Sequence, residues 1–229
     1  MKVLVACEFS GIVREAFRKL DVDAWSCDLL PTDIPSPYHI QDDVMKHLND
    51  GWDGMIGHPD CTFLTNSGVR WLHKDPTRWA KLKDGISFFN RLKEANIPRI
   101  ALENPIPHKY ARQDIGDYTQ IIQPYQFGHA ERKATCLWLK NLPELISTNN
   151  VYEEMKLLPK NISQRILYTA PGKDRWKIRS KTFQGIADAM ASQWSSFWSG
   201  NLPSKNHTEF QNNQKLLGNG LITIERSGN

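Results

Sequence analysis

A chain of 229 residues, 40% apolar and 24% charged, has an ordinary globular composition and can bury a full core in one good-sized domain or two small ones. Its net charge of +4 is weaker than that of a dedicated nucleic-acid binder, so the placement of charge matters more than its sum. The widely spaced Cys7, Cys27, Cys61 and Cys136 form no C-x-x-C pair and follow no secretory signal, which argues against a disulfide scaffold or a zinc site and predicts reduced thiols in a soluble, cytoplasmic protein without a membrane span.

Residues 2–7 are a β-branched run ending at Glu8-Phe9-Ser10-Gly11, after which Val13, Ala16, Phe17 and Leu20 recur at helical spacing. The expectation is a strand, a tight glycine turn and a helix. A second strand over 21–27 closes on Asp28, ahead of a loop rich in proline. Such a unit suits an adenosine-containing cofactor, because the glycine turn lets backbone approach the ligand and a carboxylate at the end of strand two can bind both ribose hydroxyls. The G-x-G-x-x-G phosphate fingerprint is absent, which argues against NAD and favours a smaller nucleoside cofactor. Asp42 and Asp43 follow another short extended stretch; they could accept from an adenine amine or cap a helix over 44–48.

Residues 52–68, WDGMIGHPDCTFLTNSG, hold the strongest chemical signal. A short buried strand over 53–56 ends in a loop bracketed by Gly57, Pro59 and Gly68, and the loop presents Cys61. An arbitrary cysteine is more often packing than chemistry. A thiol in a polar turn beyond a strand end, with no neighbouring Cys or His to share a metal, is a candidate nucleophile. Asp75-Pro76 then starts a long helix whose Trp79, Leu82, Ile86 and Phe89 form a core stripe. A strand over 99–102 follows and ends in Glu103-Asn104-Pro105, a carboxylate and an amide that could sit beside Cys61 if the strands are neighbours.

Phe9-Ser10-Gly11, Asp28, Pro59-Asp60-Cys61 and Glu103-Asn104, in that order after successive strands, resemble the motifs of the DNA cytosine-5 methyltransferases, most closely their small phage and prophage versions. The segment Gly185 to Ala191 looks like that family's last motif, a helix folding back beside the cofactor. The resemblance implies an α/β, Rossmann-like fold, a mostly parallel sheet flanked by helices, and S-adenosylmethionine as cofactor. It implies Cys61 as the nucleophile adding to cytosine carbon 6 and Glu103 as the acid at the ring nitrogen. Phe9, Ser10, Gly11 and Pro59 would contact the cofactor, Asp28 its ribose and Asp42 or Asp43 its adenine amine, with Asn104, Arg132 and Lys133 on the substrate side. DNA is the implied partner, whose target cytosine must leave the duplex to be reached.

The chain departs from the family in having Asp60 before the nucleophile, Pro105 after Glu103-Asn104, and His129-Ala130-Glu131-Arg132-Lys133 where the family has Gln-x-Arg-x-Arg. Only residues 145–181 separate the strand over 136–139 from the closing helix, which leaves no room for a sizeable target-recognition domain. RNA or a free cytosine nucleotide therefore stands as an alternative substrate, and a non-catalytic binding module as an alternative role. Within this insert Lys173, Arg175, Lys177, Arg179 and Lys181 alternate, so an extended chain would form a phosphate-tracking ribbon with Arg175 and Lys177 among its contacts; a solvated charged loop is the other reading. The expected organisation is a methyltransferase domain over 1–199, including a helix over 182–198, and a polar, disordered tail over 200–229 with a possible short strand at 221–224.

Overall fold

The computed structural model describes residues 1–200, so the expectations for the tail and for a strand at 221–224 lie outside the described residues. At its centre is a seven-stranded sheet of β1 (Lys2–Ala6), β2 (Asp23–Asp28), β3 (His39–Gln41), β4 (Gly54–Gly57), β5 (Ile100–Pro105), β6 (Gln120–Ile122) and β7 (Thr135–Lys140). The strand order is β3-β2-β1-β4-β5-β7-β6. Neighbours from β3 through β5 are parallel, whereas β7 runs antiparallel to both β5 and β6. The helices are α1 (Ile12–Arg18), α2 (Thr77–Lys93), α3 (Lys109–Ile115), α4 (Tyr152–Leu157), α5 (Lys160–Ser163), α6 (Arg165–Tyr168), α7 (Arg175–Ser180) and α8 (Gln184–Trp198). This is the α/β, Rossmann-like fold expected above, a mostly parallel sheet flanked by helices.

Strand alternation builds two cores. Leu4 and Ala6 of β1 point to the side covered by α2 and α3, while Val3 and Val5 point to the side covered by α1 and α8. On the first side Leu82, Ile86, Phe89 and Leu92 of α2 are buried at spacings of four, three and three, the stripe a core-facing helix requires. Trp79, expected on that stripe, is only half-buried and packs edge-on to Tyr110 at 5.0 Å. On the second side Phe17 of α1 and Trp194 of α8 are fully buried, and the Trp194 indole donates to the Pro143 carbonyl at 3.0 Å.

The start of α8 sits hard against the preceding chain. A Cβ on Gly185 would come within 1.9 Å of the Phe127 carbonyl oxygen, so only glycine lets α8 approach this loop, and its amide donates to His129 Nε2 at 2.9 Å.

Two expectations are corrected. Residues 173–181 are no ribbon: Arg175–Ser180 is the helix α7, so the alternating cations do not share a face. Helical spacing instead puts Trp176 and Arg179 on one side. The helix expected over 44–48 is a single 3-10 turn, Val44–Lys46, whose first amides are satisfied by Asp43 accepting from the Met45 amide at 3.0 Å.

Candidate active site at the carboxyl edge of the sheet

β1 and β4 are adjacent, yet the chain leaves them in opposite directions, towards β2 on one side and β5 on the other. The crevice beyond their carboxyl ends is the topological switch point, where open α/β sheets bind ligands. The turns after β1 and β4, and β5 itself, deliver Phe9, Ser10, Pro59, Cys61 and Glu103 to one cleft there.

The turn after β1 is shaped by Cys7, a non-glycine residue in left-handed conformation at φ 59°, which swings Glu8 back over the start of α1. The buried Glu8 carboxylate accepts from the amides of Val13 at 2.6 Å and Arg14 at 3.2 Å, and the Ser10 hydroxyl donates to it at 3.2 Å. Burial raises the Glu8 carboxyl above its ordinary value, with His58 and the two amides pulling the other way. Because a side-chain carboxylate already takes the first amides of α1, no phosphate can be cradled there. Phe9 is buried and its ring centroid lies 5.6 Å from that of Trp176, which brings α7 over this turn.

After β4, the Asp60 side chain accepts from the Thr62 amide at 2.9 Å and from its hydroxyl at 2.5 Å, a turn that fixes the backbone around Cys61. Burial and then Asp60 push the Cys61 thiol up to about 11, while Lys133 opposes them. Glu103 stands near the end of β5. Its Oε1 lies 3.0 Å from His58 Nδ1, and both side chains are nearly enclosed, 15% and 9% exposed. Asn104 is buried and turns its amide nitrogen to the Pro105 carbonyl.

On the far wall of the cleft, Lys133 Nζ donates to the Lys181 carbonyl at 3.2 Å. Arg179 also lines the cleft, and its Nε is buried without a hydrogen-bond partner among the described residues. Lys181 is tied to Asp33 at 2.8 Å.

The remaining expected residues sit apart from this cleft. Gly11 turns into α1 at φ 73°, and Asp28, at the end of β2, accepts from the Leu30 amide at 2.9 Å. Asp42 is engaged by Lys46 at 2.8 Å and His47 at 3.3 Å. The loop beyond Asp28 is braced from beneath: buried Arg14 donates to Ser26 Oγ at 2.7 Å, Ser26 Oγ meets His39 Nδ1 at 2.8 Å, and His39 Nε2 meets the Leu30 carbonyl at 2.9 Å. Arg132 donates its amide to the Ser163 carbonyl, Arg175 Nε donates to the Thr169 carbonyl at 2.8 Å, and Lys177 lines a separate cleft beside α6.

Three residues that the structure brings to the site carried little or no sequence signal. Glu8 gains its role only through the left-handed turn at Cys7. His58 reads as a strand end until β5 is placed beside β4. Arg179 is one cation of five until helix α7 puts it on the side of Trp176. Among the described residues no group of His, Cys, Asp or Glu is placed to hold a metal ion, and no helix is long and apolar enough to cross a membrane.

No protein-family model matches the chain, and no curated protein matches it. Among solved structures it is similar to a protein encoded in an E. coli prophage and described as a candidate DNA modification methyltransferase, with 17% identity and a TM-score of 0.43. The match covers 69% of this chain and 55% of that one, so the chain spans little more than half the length of this neighbour.

Proposed function

We propose that the chain is an S-adenosylmethionine-dependent methyltransferase acting on carbon 5 of cytosine in DNA through a covalent bond to Cys61. The observation that carries this reading is the meeting of Cys61, Glu103 and the Phe9-Ser10 turn in one cleft at the switch point of a methyltransferase-type sheet. The cofactor supplies an electrophilic methyl group. Phe9, Ser10, Gly11 and Pro59 would hold it, with Asp28 at its ribose and Asp42 or Asp43 towards its adenine; Asp43 already spends one oxygen capping the 3-10 turn.

Cytosine carbon 5 is a poor nucleophile. Addition of the Cys61 thiolate to carbon 6 pushes electrons towards carbon 5, while Glu103 meets the density that builds on the ring nitrogen. After methyl transfer the carbon 5 proton passes to a solvent water, and the electrons of that C–H bond expel the thiolate and restore the ring. Lys133, and Arg179 on the wall formed by α7, supply the positive charge facing the nucleophile. They take the substrate side of the cleft in place of Arg175 and Lys177, and Asn104 holds the turn behind Glu103.

A second reading is favoured by the Cys61 thiol itself, pushed up to about 11 next to Asp60. It keeps the fold and cofactor site but assigns a binding role, with no methyl transfer. One experiment tests both. The protein and its Cys61→Ala variant are expressed in bacteria lacking DNA methylation, and 5-methylcytosine is measured separately in digested DNA and RNA by mass spectrometry. A Cys61-dependent signal in DNA is the expected result. A signal confined to RNA changes the substrate, turnover retained by Cys61→Ala removes the covalent mechanism, and silence in both pools with S-adenosylmethionine still bound favours the binding role.

A further inference from the structure

β4 and β5 pair in parallel with Gly57 opposite Leu102, so the next residues, His58 just past β4 and Glu103 still within β5, lie side by side. Their side chains meet at 3.0 Å between Nδ1 and Oε1 on the floor of the cleft that contains Cys61. His58 is faced by Glu103 from β5, by Glu8 from the turn after β1 and by Lys133 from the segment before β7, and Asp60 and Cys61 stand in its own loop. Both ring nitrogens are buried without a hydrogen-bond partner among the described residues, so Nδ1 and Glu103 Oε1 meet at ion-pair distance without an aligned N–H···O bond.

Burial alone would strip the imidazole of its charge, but Glu103 and then Glu8 outweigh it, and the value stays above the ordinary 6.5. Burial alone would also raise the Glu103 carboxyl, yet His58, helped by Lys133, holds it below its ordinary 4.5. Both shifts favour the imidazolium–carboxylate form of the pair. A carboxylate has no proton to give to a ring nitrogen, so the acid of the reaction must draw its proton from elsewhere.

We propose that His58 stores this proton and that His58 and Glu103 work as one acid, an inference that rests on the cytosine methylation reading above. The Cys61 thiol first gives its proton to solvent; as the thiolate forms its bond to carbon 6, the imidazole turns its Nδ1–H onto Glu103 Oε1, that N–H bond breaks and Glu103 takes the proton. Glu103 then hands a proton to the ring nitrogen and ends, as it began, ionised. His58 ends neutral, the ring ends neutral, and the charge lost at sulfur balances the charge lost at the imidazolium. Expulsion of the thiolate returns the proton along the same path. His58 touches no substrate in this scheme; it is a positioning and proton-holding residue that acts through Glu103.

The test has two readouts. Ring-nitrogen NMR of histidine-labelled protein, with the His58 signals assigned by their loss in His58→Gln, should show an imidazolium that survives above the ordinary histidine range in the native protein and titrates lower in Glu103→Gln. Single-turnover methyl transfer followed against pH should show, for His58→Gln, a basic limb moved to lower pH and at least about a tenfold slower rate near pH 8, with cofactor affinity unchanged. A His58 that is neutral across about pH 6 to 8 overturns the proposal, as does a His58→Gln enzyme with the native pH profile. The NMR readout stands without turnover and decides the matter if His58→Gln fails to fold. Native protein inactive on every cytosine substrate would sink the methylation reading and with it this proton path, whereas an active enzyme with a neutral His58 would sink the proton store alone.

Discussion

The Glu8 carboxylate accepts the Val13 amide at 2.6 Å, so the first turn of α1 is closed by a side chain from the loop that precedes it. Replacing Glu8 with Ala leaves the Val13 and Arg14 amides buried without acceptors and should cost about 2–3 kcal/mol, read from the urea midpoint. Glu8→Gln keeps one acceptor oxygen and should cost less. Equal losses in the two variants would show that the charge, and not the acceptor, matters.

Cys61 should alkylate slowly at neutral pH, because its thiol is pushed up to about 11 by burial and by Asp60. Asp60→Asn keeps the oxygen that accepts from Thr62 but removes the charge, so the thiolate fraction rises. The expected outcome is about a threefold faster reaction with iodoacetamide near pH 8, the gain being trimmed by the lower nucleophilicity of a more acidic thiol. Lys133→Gln should slow it. Peptide mass spectrometry separates Cys61 from Cys27 and Cys136, which are buried outright.

Gly185→Ala drives a methyl group into the Phe127 carbonyl oxygen. Backbone on both sides must move, so a loss of at least about 2 kcal/mol is expected, seen as a lower thermal midpoint. A variant as stable as the native protein would mean that α8 does not approach the loop this closely.

The His58–Glu103 pair also sets a pH signature for stability. His58 keeps its proton to higher pH when folded, so its contribution is complete below 6.5 and is lost as pH rises through the raised value. Glu103 stays ionised to lower pH when folded, so its contribution is complete above 4.5 and is lost as pH falls through the lowered value. The unfolding free energy of the native protein minus that of the His58→Gln/Glu103→Gln double variant should therefore be largest between these limits and shrink on either side. A difference that does not vary with pH would refute the ion pair.

Most strands and the long helices were legible because their signals are redundant: Val3 to Ala6 of β1 is an unbroken apolar run, and α2 repeats its apolar stripe over seventeen residues, whereas the three-residue β6 carried no such signal. The region from 171 to 181 was not. Its alternating cations match a strand, but six residues are too few for periodicity to decide, and α7 is oriented by contacts made far away in sequence, Trp176 on Phe9 and Lys181 on Asp33. In the site, Cys61 stood out because it follows a readable strand, and Glu103 because it stands near the end of one. Their partner His58 did not, since its meaning depends on which strand lies beside β4. Asp42 shows the reverse: a carboxylate placed near the cofactor by motif order is engaged by its own neighbours Lys46 and His47.

The packing of α8 on α1 joins one of the first helices to be synthesised with the last one described. Until Trp194 has left the ribosome, Val13, Ala16 and Phe17 have no cover from α8, so a nascent chain carries an open apolar face while the residues between α1 and α8 are made. Translation that stalls before α8 would release a sheet half-clothed, a natural client for chaperones and proteases.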